Sequence, residues 1–377
     1  MNVIVPKEIQ ESETRVAATP KTVKELIKSG LNVLVQSNAG ALSHITDSEY
    51  AEAGATIIES SGELLKKADV VLKVLPPTLS EIVKLKSNSV LISFCQTTRE
   101  IAVVKALKEQ SVTAFSMHLL PRTTLAQKMD ALSSQANIAG YKAVLIASAK
   151  LGKYMPLLMT AAGTIRPAKV LILGAGVAGL QSIATAKRLG AQVEAFDVRP
   201  MVKEQVESLG AKFIEVVSDS NEGVGEGGYA KETTDDYKKR QNELIHAHIS
   251  KSDIVITTAL IPGKPAPILI STSMVDSMKS GSVIMDLASE NGGNCELTQK
   301  DKVIEHNGVT VDGSSNIPGS MPVHASELYS KNVTALLLYM IKDGQLNLDM
   351  EDEIVSGAMF THLGEITDKH TKEKLQG

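Results

Sequence analysis

The segment AKVLILGAGVAGLQSIATAKRLGAQVEAFD, residues 168–197, decides the fold that we predict for this chain. It reads as a buried strand, a glycine-rich turn, a helix and a second strand, which together begin a βαβ unit. Gly174, Gly176 and Gly179 form a GxGxxG pattern in the turn, and Asp197 closes the second strand. A GxGxxG pattern alone is a weak signal, but here the strand, the helix and the acid supply its full structural context.

This pattern predicts a dinucleotide-binding turn. Gly174 permits the tight turn, Gly176 lets the backbone approach a pyrophosphate, and Gly179 lets the helix pack closely on the strand. The helix N-terminus directs its amides and the positive end of its dipole towards the phosphates. Asp197 can accept hydrogen bonds from ribose hydroxyls and would repel a 2′-phosphate, which favours NAD(H), although Arg199 weakens that argument. The alternative is a glycine-rich turn that packs a helix on a strand and binds nothing.

The whole chain of 377 residues alternates apolar strands with helical patterns. Continuous β-branched runs between helices predict parallel sheets covered on both faces. Two long helical stretches, at about 130–155 and 322–342, interrupt the alternation, and a polar tail follows the second. We therefore predict an α/β protein with two Rossmann-like doubly wound parallel-sheet domains, joined by these long helices, with a cleft between them. The predicted domains are 1–135 plus 318–377, a discontinuous N-terminal-type α/β domain, and 136–317, an NAD(H)-binding Rossmann domain.

The composition argues against several classes of partner. A net charge of −4 leaves no basic excess for nucleic acid. Cys95 and Cys295 lie far apart and outside any CxxC motif, which is typical of a reducing, cytoplasmic compartment. The apolar run at 333–341 is too short to span a bilayer, so we expect no direct membrane insertion and favour a core role over an interface for it. His246 and His248 point to different sides of a helix, and we predict no metal site.

A second candidate site lies in the segment MHLLPRTTLAQKMDALSSQ, at the end of the first predicted domain. Arg122, Gln127, Asp130 and Ser133 could line the cleft, where carboxylate, amide and hydroxyl groups would orient a nicotinamide carboxamide and its ribose. Two ordinary explanations stay open. Thr124 and Gln127 fit a capping box at a helix start, and Arg122 and Asp130 could form a surface ion pair.

The connection SDSNEGVGEGGYAKETTDDY, residues 218–237, is long for a link between a strand and a helix in an α/β domain. Its glycines provide hinges and its acidic flanks favour solvation. Tyr229, beside Gly228, supplies one large ring, and this composition is typical of a lid over a bound cofactor. Composition alone favours the alternative, a solvated surface insertion without function.

Several motifs together resemble one family. They are KEIQESETRVAATP from Lys7, RTTLAQKMDALSSQANIAGYKAV, MTAAGTIRPAKVLILGAGVAGLQSIATAKRLGA, GGYAKE, and TTALIPGKPAP followed by GSVIMDLASENGGNC. Over nearly its whole length the chain resembles the NAD(H)-binding component, domain I of the alpha subunit, of proton-translocating NAD(P) transhydrogenases. That family shares a superfamily with alanine dehydrogenase.

The resemblance implies roles for individual residues. The polar segment would hold the nicotinamide end, the glycine turn the pyrophosphate and adenosine, and the long loop would close on the cofactor. The implied cofactor-binding residues are Arg122, Thr123, Thr124, Gln127, Asp130, Ser133, Gly174, Gly176, Val177, Gly179, Asp197, Val198, Arg199, Gly228, Tyr229, Gln241 and Leu260. The implied catalytic set is Arg122, Gln127, Asp130, Ser133 and Tyr229.

The resemblance also implies a function. The chain would be the soluble NAD(H)-binding subunit of a Re/Si-specific, proton-translocating NAD(P)+ transhydrogenase. It would donate hydride from NADH directly to NADP+ held on a partner subunit, coupled to proton movement through membrane subunits. The expected partners are the NADP(H)-binding component, the membrane-spanning subunits and a second copy in a homodimer. The expected location is cytoplasmic, attached peripherally to the inner membrane through these partners.

Two other functions stay open. An alanine-dehydrogenase-like amino-acid oxidoreductase is suggested because Arg15 and Lys73 match substrate-binding positions, with His118 as the candidate catalytic imidazole. The spacing around His118 and the presence of Glu290, where that enzyme would carry an Asp, count against this function, and we favour structural ion pairing for Arg15 and Lys73. A non-catalytic NAD-sensing regulator would carry the same nucleotide fingerprint.

Overall fold

The structure is a computed structural model that describes residues 1–216, 235–261, 264–342 and 344–376. Contacts between Cα positions divide the chain into two compact units. Unit 1 comprises Met1–Gln135 with Gly319–Gly377, and unit 2 comprises Ala136–Pro318. Each unit contains its own α/β sheet and its own hydrophobic core.

Unit 1 begins with strands that alternate with helices, as the sequence predicts. The strands are β1 (Asn2–Val5), β2 (Asn32–Gln36), β3 (Thr56–Ile58), β4 (Val70–Leu72), β5 (Val90–Ser93) and β6 (Thr113–Ser116). The helices are α1 (Pro20–Lys28), α2 (Asp47–Glu52), α3 (Ser61–Lys66), α4 (Leu79–Ile82) and α5 (Ile101–Glu109), and α6 (Ala131–Lys150) follows them in the chain. The strands are parallel in the order β3-β2-β1-β4-β5-β6, which is the strand order of the Rossmann fold.

The strands of this sheet are buried on both faces. Val3 and Val5 of β1 pack into one core cluster, whereas Ile4 between them packs into another. Successive side chains of a strand point to opposite sides, so a strand covered by helices on both sides needs apolar residues at every position. This explains why these strands read in the sequence as continuous apolar runs.

Unit 2 contains a second sheet of the same kind. Its strands are β7 (Leu158–Thr160), β8 (Gly163–Ile165), β9 (Lys169–Leu173), β10 (Gln192–Phe196), β11 (Lys212–Ile214), β12 (Ile254–Thr257), β13 (Val283–Asp286), β14 (Val303–His306) and β15 (Val309–Asp312). Its helices are α7 (Val177–Arg188), α8 (Lys203–Ser208), α9 (Asp235–Ile249) and α10 (Thr272–Asp276). The strand order is β11-β10-β9-β12-β13-β15-β14, with β14 antiparallel to β15 and the other described pairs parallel.

The order of the second sheet reverses between β9 and β12. Ligands of open α/β sheets bind outside the carboxyl ends of the strands at such a switch point. In unit 2 these ends lead into Gly174, after β9, and Thr258, after β12. The predicted fold class, with two Rossmann-like sheets of doubly wound parallel strands, is confirmed for both units.

The last part of the chain returns to unit 1 and extends its sheet. Its elements are α11 (Pro322–Tyr339), β16 (Ile341–Lys342), β17 (Gln345–Leu346), α12 (Glu353–Ala358), β18 (Met359–His362), β19 (Glu365–Ile366) and α13 (Lys369–Gln376). Strand β18 pairs antiparallel with both β6 and β19. The predicted polar tail is therefore wrong, because Met359 and Phe360 are fully buried and Thr361 Oγ1 donates to Val112 O at 2.9 Å.

Helix α11 is a core helix of unit 1. Val333, Leu336 and Leu337 are fully buried in the main cluster of that unit. The preference for a core role of the run at 333–341 is therefore confirmed, although Tyr339 stays exposed. Across the described ranges, we find no helix whose length and hydropathy would suit a bilayer crossing. The same residues contain no group of three or more His, Cys, Asp or Glu side chains that could hold a metal ion.

Candidate nucleotide-binding site

The glycine turn follows β9 at the switch point of unit 2. Gly174 has a φ of 101°, and a Cβ atom there would lie 2.6 Å from Thr258 Oγ1, so glycine is required on both grounds. A Cβ atom at Gly179 would lie 1.9 Å from the carbonyl oxygen of Gly174, because α7 packs directly against the turn. At Gly176 a Cβ atom would meet no heavy atom of the described residues within 4 Å.

This geometry fits a dinucleotide pyrophosphate. The open space beside Gly176 lies at the N-cap of α7, where backbone amides point away from the helix. Val177, the first residue of α7, is 41% exposed and also faces solvent. The turn therefore combines a crowded side, which packs on the sheet, with an uncrowded side that can take an anion.

Asp197 lies directly after β10 and is largely engaged by its neighbours. Its Oδ2 accepts hydrogen bonds from Ala175 N at 2.7 Å and Arg199 Nη2 at 2.8 Å. Its Oδ1 accepts from Arg199 N and Arg199 Nε, both at 2.9 Å. The hydrogen bond to Asp197 is the main reason that the pKa of Arg199 is raised. The carboxylate thus fixes the turn at Ala175 and holds a guanidinium, so repulsion of a 2′-phosphate is weaker than the sequence alone suggests.

The segment after β12 forms the facing wall of the site. Thr258 N donates to Leu173 O at 2.8 Å, and Thr258 Oγ1 donates to Gly174 O at 3.0 Å. Leu260, the predicted adenine contact, follows two residues later and is 45% exposed. The carboxyl edge of the second sheet therefore brings together the glycine turn, the Asp197–Arg199 pair and Leu260.

Three further predicted residues belong to this unit. Val198 is half-buried against the core between Asp197 and Arg199. Gln241, the predicted loop anchor, is buried on α9. Gly228 and Tyr229 lie outside the described residues, as does nearly all of the predicted lid.

The sequence patterns do not single out two buried residues behind the wall, Asp286 and Asn294. Both are fully buried, and Asn294 bonds to the backbone of Ala259. The signal that could have identified them is a polar pair at the end of an otherwise apolar strand, because buried polar groups need partners.

The polar segment of unit 1 differs from the predicted helix start. Residues Leu125–Met129 form a 3-10 helix, and among the described residues the Thr124 side chain makes no capping hydrogen bond. The capping-box interpretation of Thr124 and Gln127 is therefore wrong. Arg122, Thr124 and Gln127 are exposed instead, and Thr123 is half-buried with its Oγ1 accepting from Ala126 N at 3.4 Å.

The helix start lies at Asp130. Its Oδ1 accepts from Ser133 N at 2.9 Å, and its Oδ2 accepts from Ser133 Oγ at 2.5 Å. Asp130 therefore caps α6, and the two predicted residues are brought together. Asn332 of α11 fixes the segment on either side, because its Nδ2 donates to Lys128 O at 2.9 Å and its Oδ1 accepts from Ser134 Oγ at 2.7 Å.

Arg15 and Lys73 are buried in unit 1 and paired with carboxylates. Arg15 binds Glu13 through Nε at 2.8 Å and Nη2 at 2.7 Å, and its Nη1 donates to Gln135 Oε1 at 2.9 Å. Lys73 Nζ lies 3.2 Å from both Glu8 Oε2 and Glu81 Oε1. Structural ion pairing, which the sequence favours for both cations, is what the structure contains.

His118 is neutral at physiological pH. Burial lowers its pKa to about 4, and its Nδ1 has no hydrogen-bond partner among the described residues. Its ring centroid lies 4.9 Å from that of Phe94. An imidazole without an orienting partner lacks the geometry of a general base.

The fold and the site define a Rossmann-type oxidoreductase whose nucleotide site takes NAD(H). Residues 4–139 match the N-terminal domain, and residues 143–369 the C-terminal domain, of the alanine dehydrogenase/PNT family. This chain therefore belongs to the alanine dehydrogenase/PNT family.

Known relatives include both kinds of enzyme in that family. The chain is 46% identical over 374 residues to an alpha-subunit chain of the NAD(P) transhydrogenase of Rhodospirillum rubrum, covering 97% of each chain. The crystal structure of a transhydrogenase from Sinorhizobium meliloti matches with a TM-score of 0.88 and 45% identity, covering 97% of this chain and 100% of that one. Alanine dehydrogenase 2 of Staphylococcus aureus (strain Mu50) is 30% identical over 389 residues, covering 100% of this chain and 97% of that enzyme.

Proposed function

We propose that this chain is the NAD(H)-binding component of an NAD(P) transhydrogenase, which passes hydride from NADH to NADP+ held on a partner subunit. One observation carries the proposal. The glycine turn and wall that fit NAD(H) occur in a chain 46% identical to a transhydrogenase alpha subunit over 97% of both lengths. NADH supplies the hydride, and the chain's own residues bind and orient it.

The residues of unit 2 would bind the adenosine and pyrophosphate part of NADH. The open side of the turn at Gly176 and the N-terminal amides of α7, from Val177 onwards, would receive the pyrophosphate. Asp197 and Arg199 would contact the adenosine ribose, and Leu260 would pack on the adenine. These assignments are supported by the exposure of Val177 and Leu260 at the carboxyl edge of the sheet.

The residues of the polar segment would orient the nicotinamide end. Gln127 is exposed and offers an amide, while Asp130 and Ser133 are held in a fixed mutual geometry at the start of α6. Arg122, Thr123 and Thr124 would complete this set. Alignment of the donor ring is the main requirement for hydride transfer, because misplacement by about 1 Å can cost roughly 100-fold in rate.

Direct hydride transfer between two nicotinamides needs no general acid or base, because no proton moves with the hydride. The buried groups of unit 1 agree with such chemistry. His118 is neutral and unpartnered among the described residues, and the charges of Arg15 and Lys73 are balanced by carboxylates. The residues present would bind, orient and exclude water rather than exchange protons.

The assembly belongs to the same proposal. The NADP(H)-binding component and the membrane-spanning subunits would be the partners, with a homodimer of this chain as the soluble unit. Proton movement would be coupled through conformational change in the membrane subunits. The chain would thus be cytoplasmic and attached to the inner membrane through its partners.

A mixing assay tests this function. Purified chain, NADH and the purified NADP(H)-binding component of a transhydrogenase, loaded with NADP+, are combined, and NADPH formation is followed. NADPH should form when both proteins are present and at background rates when either is omitted. NADH binding without NADPH formation would contradict the proposal and favour a non-catalytic sensor.

Amino-acid oxidation is the second candidate, favoured by the 30% identity to alanine dehydrogenase 2 and by the positions of Arg15, Lys73 and His118. It is tested on the chain alone with NAD+ and L-alanine. Turnover at ordinary enzyme rates, on the order of 1 per second or more, would replace the transhydrogenase proposal with this one.

A further inference from the structure

A buried carboxylate organises the loop that follows β13. Asp286 is the last residue of β13, and its side chain is fully buried. It accepts hydrogen bonds from Thr257 Oγ1 at 2.9 Å, Thr298 Oγ1 at 2.6 Å, Ala288 N at 2.9 Å, Asn294 N at 2.7 Å and Cys295 N at 3.1 Å. These bonds satisfy its acceptor positions and fix the backbone of Asn294.

Asn294 in turn holds the segment that follows β12. Its Oδ1 accepts from Ala259 N at 3.0 Å, and its Nδ2 donates to Ala259 O at 2.9 Å and to Pro267 O at 2.8 Å. One fully buried amide thus engages both backbone groups of Ala259, as a neighbouring strand would. The pattern requires an amide, because a carboxylate has no donor and an apolar side chain has neither group.

Ala259 lies between the two residues that form the wall of the nucleotide site. Thr258 before it donates to Gly174 O, and Leu260 after it is 45% exposed. An exposed leucine is not positioned by packing of its own side chain in the core. Its location is therefore set by the backbone that Asn294 holds.

We propose that Asn294 is a positioning residue for the adenosine part of the nucleotide, and that Asp286 holds Asn294 in place. The inference rests on the proposed NAD(H)-binding function and adds to it a residue that touches no part of the cofactor. Asn294 acts through Ala259, and Leu260 is the residue that meets the adenine. The loop after β13 thereby fixes the geometry on the far side of the switch point.

The test compares ligands with and without adenosine. Asn294→Ala removes all three hydrogen bonds, and Asn294→Asp keeps the side-chain volume but places an acceptor against two carbonyl groups. Dissociation constants are measured by titration calorimetry for NADH, 5′-AMP and reduced nicotinamide mononucleotide. Both variants should weaken NADH and AMP by a common factor on the order of tenfold, with the mononucleotide unchanged.

A matched control separates positioning from general loss of stability. Asp253 is a buried carboxylate at the opposite, amino-terminal edge of the same sheet, where it accepts from Lys169 N at 2.8 Å and Lys153 Nζ at 3.0 Å. Asp253→Asn should lower the Tm but leave the Kd for AMP unchanged. In the mixing assay, the Asn294 variants should raise KM for NADH and leave kcat unchanged at saturation.

Several results would overturn the inference. Unchanged AMP affinity in a folded Asn294 variant, equal weakening of the mononucleotide, or the same loss of AMP affinity in Asp253→Asn would each do so. If Asn294→Ala does not fold, Asn294→Asp decides by the same measurements. Failure of the unaltered chain to bind NADH would instead remove the proposed function, and the inference with it.

Discussion

Arg199 donates three hydrogen bonds to the carboxylate of Asp197, through its backbone N, Nε and Nη2. The same carboxylate accepts from Ala175 N in the glycine turn. The acid that should choose between NAD(H) and NADP(H) is therefore an ion pair and not an isolated charge. Nucleotide preference depends on which partner of this pair faces the ribose 2′ position.

Removing the acid should change that preference. Asp197→Ala frees the Arg199 guanidinium, which can then bind a 2′-phosphate bidentately. The ratio of NADPH affinity to NADH affinity should rise on the order of tenfold, measured by fluorescence titration with both nucleotides. Adding Arg199→Ala should abolish the gain. A folded Asp197→Ala protein with an unaltered ratio would show that this pair does not set the preference.

Two glycines of the turn should respond in opposite ways to a methyl group. Gly179→Ala places a Cβ atom 1.9 Å from the backbone carbonyl of Gly174, so α7 must shift and stability should fall by about 1–3 kcal/mol. Gly176→Ala meets no described heavy atom within 4 Å, so its Tm should stay near that of the parent while NADH binding weakens. Thermal melts and NADH titrations distinguish them. Normal NADH binding by Gly176→Ala would argue against a pyrophosphate at this turn.

Gln127 should affect hydride transfer more than folding. Its side chain is exposed on the 3-10 helix of unit 1, so Gln127→Ala should leave the Tm and the affinity for AMP unchanged. If its amide orients the nicotinamide, the rate of NADPH formation at saturating NADH should fall roughly 10- to 100-fold. The neighbouring exposed Lys128→Ala is the matched control and should keep the parental rate. Equal rates for both variants would remove Gln127 from the set of orienting residues.

His118 should make the protein sensitive to acid. Its pKa in the folded chain is about 4 against an ordinary 6.5, because burial disfavours the charged ring. As the pH falls from 6.5 to 4, the unfolded chain binds a proton that the folded chain does not, so stability falls by at most about 3 kcal/mol. Above pH 6.5 the ring is neutral in both states and contributes no pH dependence.

Comparison with His118→Leu isolates this effect. The buried Glu8, whose pKa is raised chiefly by burial, gains stability on acidification, but it does so in both proteins. The difference in Tm between the two proteins, measured from pH 7.5 to pH 4, should therefore shift in favour of the leucine variant as the pH falls. Parallel pH profiles would show that the imidazole is protonated in the folded state as readily as in the unfolded one.

Local sequence patterns predict the nucleotide turn because their physical causes are local. Gly174 and Gly179 are required by a backbone angle and by a contact within one βαβ unit, and both causes leave a fixed spacing. The capping box predicted at Thr124 is wrong because a second cap, Asp130 with Ser133, lies six residues further on and satisfies the helix start. Spacing alone does not decide between two such caps.

Features that depend on distant parts of the chain could not be predicted. Strand β18 is short and follows polar residues, and it becomes a strand by pairing with β6, more than 200 residues earlier. Asp286 and Asn294 are important because both are buried, and burial of a polar residue is a property of the tertiary fold. The ion pairing of Asp197 with Arg199 is visible in the sequence only as proximity.

The most direct test of the central claim follows the hydride itself. NADH carrying deuterium at C4, in the position that is transferred, is mixed with this chain, NADP+ and the NADP(H)-binding component of a transhydrogenase, and the NADPH is analysed by mass spectrometry. Direct transfer between nicotinamides predicts that the deuterium appears in NADPH without dilution by solvent protons, and that omitting either protein abolishes it. NADPH without the label, or labelled NADPH formed without this chain, would contradict the account.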